Sequence, residues 1–475
     1  MKLDHQSCYQ ALVSHDPRFD GVFFVGVSST GIYCRSVCPA RTPLKENCSF
    51  FPSASAAEQA GYRPCMRCRP ELAPGNSHID APSQLAALAA SRIEDGALDN
   101  QSLEDLANEL HVSPRHLRRV IQTEFGVSPI QLAQTSRLLA AKRLLTDTDL
   151  PITQIAFTSG FSSLRRFNAV FNARYHLSPT LLRNHREGSS LPGELKCDLT
   201  YLPPFAWKIL LDYLGQWSAR GVEVVQDESY LRTVQVEKYT GWLRVRQNPN
   251  QPTLNVEISS GLAAVFKTIQ ARIKRLFDLV ANPRIISSAL GELASGNPGL
   301  RIPGSFDGFE IAVHAVLSQQ VSVPSARALL ARLVEAFGEV IATPHQGLNR
   351  IFPSPLSLAQ ATDNDLIRLG IYRQKARAIR CLSQAVVMGD ITLGPGVQMD
   401  DEIQKLVSLP GIGQWTAQYI AMRVFSWPDA FPHTDLGLRK SLNVPNSSSV
   451  LRLAEAWRPW RAYAAMHLWH RIKKI

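Results

Sequence analysis

Four cysteines sit in two close pairs. Cys34 and Cys38 form C-x3-C, Cys65 and Cys68 form C-x2-C, and 26 residues separate the pairs. Two such pairs on separate turns can present four thiolates tetrahedrally to zinc. On spacing alone the pattern describes a structural zinc site, because a region of about 75 residues has little core and a metal staple helps it fold. The same arrangement can also be reactive, since a metal keeps sulfur deprotonated and the thiolate is the nucleophile. Arg35, Arg41, Lys45, Arg63, Arg67 and Arg69 surround the cysteines and could hold phosphates. Cys8 and Cys48 have no paired spacing and read as ordinary thiols.

A second constellation lies near the C-terminus. Residues 409–422 read LPGIGQWTAQYIAM. A Pro-Gly-x-Gly turn between two helices exposes backbone N–H groups at a helix start, and such groups hold a DNA phosphate without reading bases. Gly411 and Gly413 are its candidate phosphate-binding residues. Asp435 follows 24 residues after Gly411. Taken alone, one aspartate is a surface carboxylate or a helix N-cap.

The elements between these sites show a repeat. Leu106-Ala107 corresponds to Ile155-Ala156, and Val112-Ser113 to Phe161-Ser162, at an offset of 49. Leu117, Phe125, Ser128 and Pro129 match Phe167, Tyr175, Ser178 and Pro179 at an offset of 50. The unit is a helix, a short turn, a second helix, then a Ser-Pro stop. The second helices carry Arg115, His116, Arg118 and Arg119, and Ser162, Ser163, Arg165, Arg166 and Asn168. An arginine-bearing second helix after a tight turn is the arrangement that enters a major groove. Its plain alternative is a helical bundle with solvated arginines. A loop-like stretch, Pro70–Pro82, precedes this region, and a linker-like one, Glu187–Gly193, follows it. Strand-like segments at Val222–Val225 and Leu231–Val236 come next, and a helix-rich region begins near Asn282.

Three resemblances follow from these residues. FFVGVSSTGIYCRSVCPARTPLKENCSFF with GYRPCMRCRPE resembles the N-terminal domain of the Ada adaptive-response family, over about residues 5–75. The resemblance implies zinc (one Zn2+) on Cys34, Cys38, Cys65 and Cys68, with Cys34 accepting a methyl group from a DNA methyl phosphotriester. Residues 83–186 resemble the AraC-family module with two helix-turn-helix units, which implies base contacts from some of Arg115, His116, Ser163, Arg165 and Arg166. Residues 198–475 resemble the AlkA branch of the helix-hairpin-helix DNA glycosylases. The matching segments are LPGIG with Asp435, HAVLSQQVS (314–322), WRPWRAYAAMHLW (457–469) and YLPPFAWKILLDYL (201–214). This likeness implies catalysis by Asp435, stabilising a cationic sugar and helping water attack it. It implies a base pocket of Trp415, Tyr419 and Trp469, with Tyr213 a weaker member, whose ring faces attract cationic alkylated purines such as 3-methyladenine. Gln320, in the loop Ser318–Ser322, falls where that family has a wedge side chain. Trp415 stands where strand-cutting relatives carry a lysine, so a monofunctional glycosylase is expected. With no cysteine after Cys381, no iron–sulfur cluster is expected. Ada proteins usually end in an O6-methylguanine methyltransferase domain with a Pro-Cys-His-Arg motif, and that motif is absent here.

The expected architecture is therefore multidomain and mainly α. It comprises a small α/β zinc domain (1–78), an all-α AraC-type double helix-turn-helix domain (83–186), an α+β AlkA N-terminal-like domain (195–283) and an all-α helix-hairpin-helix glycosylase domain (284–475). The length of 475 residues suits three or four domains. The 45% hydrophobic content excludes wholesale disorder, and no apolar run reaches the ~20 residues of a membrane span. The start, MKLDHQSCYQ, lacks a secretory signal, so a reducing cytoplasm is expected, and the family resemblances imply a bacterial, nucleoid-associated protein. The net charge of +11 suits a polyanion. Expected partners are double-stranded DNA, both alkylated and promoter operator, and RNA polymerase, with the protein a monomer and no membrane involved. The expected function is a methylation-switched transcriptional activator that excises 3-methyladenine-type bases and accepts phosphotriester methyl groups. The alternative is a DNA-binding regulator with a structural zinc site and an inactive glycosylase fold.

Overall fold

The computed structural model describes residues 4–472 apart from 21, 53, 69, 71–80, 95, 111, 148–149, 176, 185–193 and 395–398. Arg69, the loop over 71–80 and the linker Glu187–Gly193 lie outside the described residues.

The N-terminal region opens with α1 (His5–Ser14), capped by the Asp4 carboxylate, which accepts from Ser7 N at 2.7 Å. Strands β1 (Phe24–Val27), β2 (Ile32–Arg35) and β3 (Cys48–Phe51), helix α2 (Ala54–Gln59) and β4 (Arg63–Pro64) follow. The sheet order is β3-β1-β2-β4, with β2 and β4 parallel. That pairing brings the second cysteine pair beside the first.

The next region is helical: α3 (Ala81–Glu94), α4 (Ala97–Asn100), α5 (Leu103–Glu109), α6 (Pro114–Phe125), α7 (Pro129–Asp147), α8 (Ile152–Thr158), α9 (Leu164–Tyr175) and α10 (Pro179–Asn184). Local chemistry sets the boundaries. Ser102 and Asp105 make a reciprocal capping box on α5. Ser113 caps α6, and Gly126 ends it at φ 71°. The Ser-Pro pairs, expected as stops, instead open the following helices. Ser128 and Ser178 accept from Gln131 N and Leu181 N at 3.3 and 3.1 Å. Proline at the first helical position gives up an N–H that has no intrahelical acceptor anyway.

The remainder holds a sheet and a helical domain. Strand β5 (Glu194–Thr200) and α11 (Trp207–Trp217) precede β6 (Glu223–Gln226), β7 (Ser229–Val236), β8 (Tyr239–Gln247) and β9 (Thr253–Ser259). The two strand-like segments of the sequence thus fall on β6 and β7. The sheet is antiparallel, in the order β5-β9-β8-β7-β6. Helices α12 (Phe266–Leu276), α13 (Pro283–Leu290), α14 (Glu292–Ser295), α15 (Gly308–Leu317), α16 (Val323–Phe337), α17 (Pro355–Gln360), α18 (Asp363–Arg368) and α19 (Arg373–Met388) come next. The chain ends with α20 (Met399–Ser408), α21 (Gln414–Arg423), α22 (Leu436–Ser441), α23 (Ser447–Ala454) and α24 (Arg461–Ile472).

Two large cores cross the sequence regions. One joins α15, α16, α19, α21 and α24, and takes in Cys8, Ala11, Phe19 and Phe23 from the N-terminal region. The other joins Leu138, Phe161, Phe167 and Phe171 of the helical region to the five-stranded sheet and α12. Among the described residues no helix is long and apolar enough to cross a membrane.

Candidate active site and metal centre

Strand β2 places Cys34 opposite Val25 of β1. The chain then turns, with Cys38 N donating to Arg35 O at 3.2 Å, and Cys65 N donates back to Tyr33 O at 3.0 Å. These bonds gather the sulfurs of Cys34, Cys38, Cys65 and Cys68 within 4.8 Å of one another. Tetrahedral zinc with Zn–S near 2.3 Å needs sulfurs about 3.8 Å apart, so the donor set fits. The cluster's own protons make the same point. Hydrogen bonds from Cys34, then Cys68, pull Cys38 down to about 2, while Cys34 is pushed far up by its bonds to Cys38 and Cys68. Four thiolates this close repel one another, so holding all four ionised requires a cation between them. Cys34 is the most exposed of the four at 9%, against 4%, 7% and 8% for Cys38, Cys65 and Cys68. Cys8 and Cys48 stay outside the cluster as buried thiols.

The flanking arginines divide into two kinds. Arg41, Lys45, Arg63 and Arg67 are exposed and available to a phosphate backbone. Arg35 is not. Its guanidinium makes a paired contact with the Asp20 carboxylate, with Nε to Oδ1 at 2.9 Å, and its backbone N–H donates to Cys68 Sγ at 3.4 Å. This corrects the expectation of a phosphate ligand: Arg35 braces the cysteine turn.

Asp435 caps α22, accepting from Leu438 N at 2.9 Å on Oδ1. The cap reading is therefore right but incomplete. Trp469 Nε1 donates to the same oxygen at 3.0 Å, and Trp415 Nε1 donates to Oδ2 at 2.9 Å. Three N–H groups hold one half-buried carboxylate in a fixed orientation. Trp415 stacks on Tyr419 with centroids 5.3 Å apart and planes 13° apart, and Tyr419 meets Trp469 at 6.3 Å. The four residues taken from distant segments thus share one site.

Tyr213 stands behind this wall. Its hydroxyl lies 3.2 Å from that of Tyr419, and both rings are buried. Arg423, which the sequence reading missed, joins them. It donates to Tyr419 Oη at 2.5 Å and Tyr213 Oη at 3.3 Å, and its guanidinium lies over both rings. The signal was its place four residues after Tyr419 on one helix face.

The hairpin joins α20 to α21. Gly411 has φ 80°, and a Cβ there would sit 2.8 Å from Ala378 Cβ. Gly413 is the N-cap of α21, with open space where its Cβ would point. Gln319 Nε2 donates to Gly411 O at 2.9 Å and Thr416 Oγ1 at 2.8 Å, tying the 318–322 loop to the hairpin. Lys375 Nζ donates to Leu317 O and Gln319 O at 2.8 and 2.6 Å, bracing the same loop. Gln320 sits exposed at its tip with φ 54°. Gln319 and Lys375 carry no motif that would mark them in sequence.

On the helix-turn-helix units, Arg115, Arg165 and Arg166 are exposed. His116 Nδ1 is 3.1 Å from Arg119. The Ser163 hydroxyl accepts from Arg166 N at 3.2 Å, which makes it a helix cap.

Comparison with known proteins assigns each region. Residues 7–71 match the family model "Metal binding domain of Ada" and 106–185 a helix-turn-helix domain. Residues 196–307 match the AlkA N-terminal domain, and 313–457 the HhH-GPD superfamily of base excision DNA repair proteins. A probable bifunctional transcriptional activator/DNA repair enzyme AlkA of Mycobacterium tuberculosis is 36% identical over 481 residues, covering 98% of this chain and 96% of that protein. DNA-3-methyladenine glycosylase 2 of Escherichia coli is 35% identical over 272 residues, covering 57% of this chain and 96% of its own length. The fold of a solved 3-methyladenine DNA-glycosylase from Archaeoglobus fulgidus superposes with a TM-score of 0.51 at 19% identity, over 59% of this chain and 99% of that one.

Proposed function

The chain belongs to the family of bifunctional transcriptional activator/DNA repair enzymes of the AlkA type, and from that premise we propose that Asp435 and Cys34 carry its two repair chemistries. It is a zinc-containing, DNA-binding activator and a DNA-3-methyladenine glycosylase. The observation that carries the excision reading is the Asp435 carboxylate, fixed by Leu438 N, Trp415 Nε1 and Trp469 Nε1 beside the stacked Trp415–Tyr419 pair.

In this reading an extruded base enters among Trp415, Tyr419 and Trp469. Ring faces favour a cationic alkylated purine. The C1′–N bond breaks and its electron pair leaves with the base. The carboxylate stabilises the positive sugar, orients water at C1′ and takes its proton. With Trp415 where a Schiff-base lysine would be, the product is an abasic site. Gly411 and Gly413 grip a phosphate, and exposed Gln320 fills the gap left by the base.

At the other site, zinc on Cys34, Cys38, Cys65 and Cys68 supplies a cation that keeps sulfur deprotonated at neutral pH. The Cys34 sulfur attacks the methyl carbon of a phosphotriester. An S–C bond forms, the C–O bond breaks, and its electron pair stays on the phosphate oxygen. Methylation removes the negative charge of the Cys34 thiolate, which weakens repulsion from DNA. Some of Arg115, His116, Ser163, Arg165 and Arg166 contact operator bases, and the DNA-bound monomer engages RNA polymerase in the cytoplasm.

Release of 3-methyladenine from alkylated DNA, compared between wild type and Asp435→Asn, tests the first chemistry. Loss of release in the variant is expected; equal release from both refutes Asp435 as catalyst. Mass spectrometry after exposure to methyl-phosphotriester DNA tests the second. A gain of one methylene, about 14 Da, is expected on Cys34. An unmodified Cys34 leaves the zinc site a structural one.

A further inference from the structure

Residues 16–20 belong to the zinc-binding region by sequence, yet the side chains of Arg18, Phe19 and Asp20 serve two partners. Arg18 folds onto Asp16 through Nε and Nη2, at 3.0 and 2.7 Å. Its other amino group donates to Tyr463 Oη at 3.2 Å and stands 3.9 Å from Asp278 Oδ1. The guanidinium also lies 5.7 Å from the Trp460 ring centroid and 5.9 Å from that of Tyr463. Phe19 is fully buried, edge-on to Trp460 at 5.3 Å and tilted against Trp427 at 5.8 Å. Tyr463 Oη donates to Asp278 Oδ2 at 2.6 Å, closing the contact around a carboxylate that is 6% exposed.

The next residue serves the other partner. Asp20 holds the guanidinium of Arg35, whose backbone N–H reaches Cys68 Sγ and whose Nη1 reaches Cys68 O at 3.4 Å. Phe23 then packs on Phe50 of β3 and joins the same large core as Phe19. A single short segment thus has an arginine and a phenylalanine seated in the helical domain and an aspartate seated on the cysteine turn. On the receiving side, Tyr463 lies on α24, the helix that also carries Trp469, a donor to Asp435.

We infer that residues 16–20 are a docking strap that fastens the zinc-binding region to the helical glycosylase domain, so that metal loading of the cysteines and folding of that domain stabilise each other. Such linkage is reciprocal: a ligand that favours the docked state is itself bound more tightly by it. A half-buried arginine with a carboxylate partner and a fully buried aromatic anchor is the composition of an interface hot spot, not of a passing contact. The inference does not depend on the chemistry proposed for Cys34 or Asp435.

The test uses the full chain loaded with zinc. Zinc release on heating is followed with a chromogenic chelator, and unfolding by tryptophan fluorescence. In wild type both signals should change in one transition. In Arg18→Met/Phe19→Ala, zinc release should move several degrees lower and separate from the fluorescence transition. Should that double variant fail to fold, Asp278→Asn alters the same contact from the opposite side and should separate the two signals likewise. Stripping zinc with a chelator should lower the unfolding midpoint of wild type but not that of the strap variants. Unchanged zinc release in the strap variants, two separate transitions in wild type, or no effect of stripping on wild type would each overturn the inference.

Discussion

At the scale of residues, the two oxygens of Asp435 are held unequally. Oδ1 accepts from both Leu438 N and Trp469 Nε1, whereas Oδ2 accepts from Trp415 Nε1. Replacing either indole by a phenyl ring keeps an aromatic face and removes one N–H. A hydrogen bond to a charged group is worth about 1.5–3 kcal/mol, so Trp415→Phe should slow single-turnover excision about tenfold or more. Trp469→Phe should cost less, because Leu438 N still orients Oδ1. Equal losses, or the reverse order, would show that ring stacking and not carboxylate orientation sets the rate. Acid stability is a second matter for single residues. Burial, then the nearby Arg423 charge, pushes His314 down to about 3; burial, then Arg471 and His470, pushes His467 down to about 4. The unfolded chain protonates both near 6.5. Folded values lie below unfolded ones, so stability is fully present above about pH 6.5 and is lost as pH falls toward 4, by up to about 1.4 kcal/mol per pH unit for each histidine. His314→Gln should flatten the urea midpoint against pH over that window; an unaltered slope would mean His314 is charged in the folded protein. The cysteines and Asp435 were legible because their motifs are local or at a family spacing. Arg423 and the indole donors were not, because burial and ring orientation are products of packing.

Elements explain why one glycine of the hairpin is structural and the other open. Gly411 combines φ 80° with a contact against α19, where an added Cβ meets Ala378 Cβ at 2.8 Å and Gln374 O at 3.3 Å. Gly411→Ala should cost about 1–2 kcal/mol from the left-handed backbone alone, and more from the clash. Its measured signature is a lower thermal midpoint together with weaker binding to DNA of any sequence. Gly413 has φ −94° and free space beside it. Gly413→Ala should lower the thermal midpoint much less than Gly411→Ala does, because only an N-cap preference is lost, and a disproportionate loss of DNA affinity would then report the close approach of a phosphate. If Gly413→Ala lowers the midpoint as far as Gly411→Ala does, the distinction fails. The helices of the repeat were legible for the same local reasons: caps at Ser102 and Ser113 and the glycine at 126 act within one turn. Ser128-Pro129 was read as an ending because proline breaks a helix from within, yet at the first position it starts one. Arg35 was misassigned because its partner, Asp20, comes from a separate segment that periodicity does not connect to β2.

For the whole molecule, the order of domains was readable and their joining was not. No pattern in the chain announces that Phe161, Phe167 and Phe171 share a core with the five-stranded sheet. The polar part of that junction is Asp99. Its carboxylate accepts from Arg137 Nε of α7 at 2.7 Å and faces Lys267 Nζ of α12 at 3.4 Å. It also fills the space beside Gly160, where a Cβ would fall 2.3 Å from Oδ1. One carboxylate therefore fastens the DNA-binding region to the sheet domain and fits the turn of the second helix-turn-helix unit. All three charged side chains keep between 12% and 18% exposure, so water screens the pairs in part. Asp99→Asn preserves shape but leaves two cations facing each other across the junction. Removing one partner of a fully buried pair costs about 3–5 kcal/mol, and partial screening brings the expected cost here to about 1–3 kcal/mol. Hydrogen exchange should locate the loss. Amides of α8 and of 260–267 should exchange faster in Asp99→Asn, while those of α15, α19 and α21 keep their protection. Faster exchange throughout would mean that the junction carries the stability of the helical glycosylase domain as well. Unchanged exchange at α8 would mean that the apolar contact holds the regions together without the ion pairs.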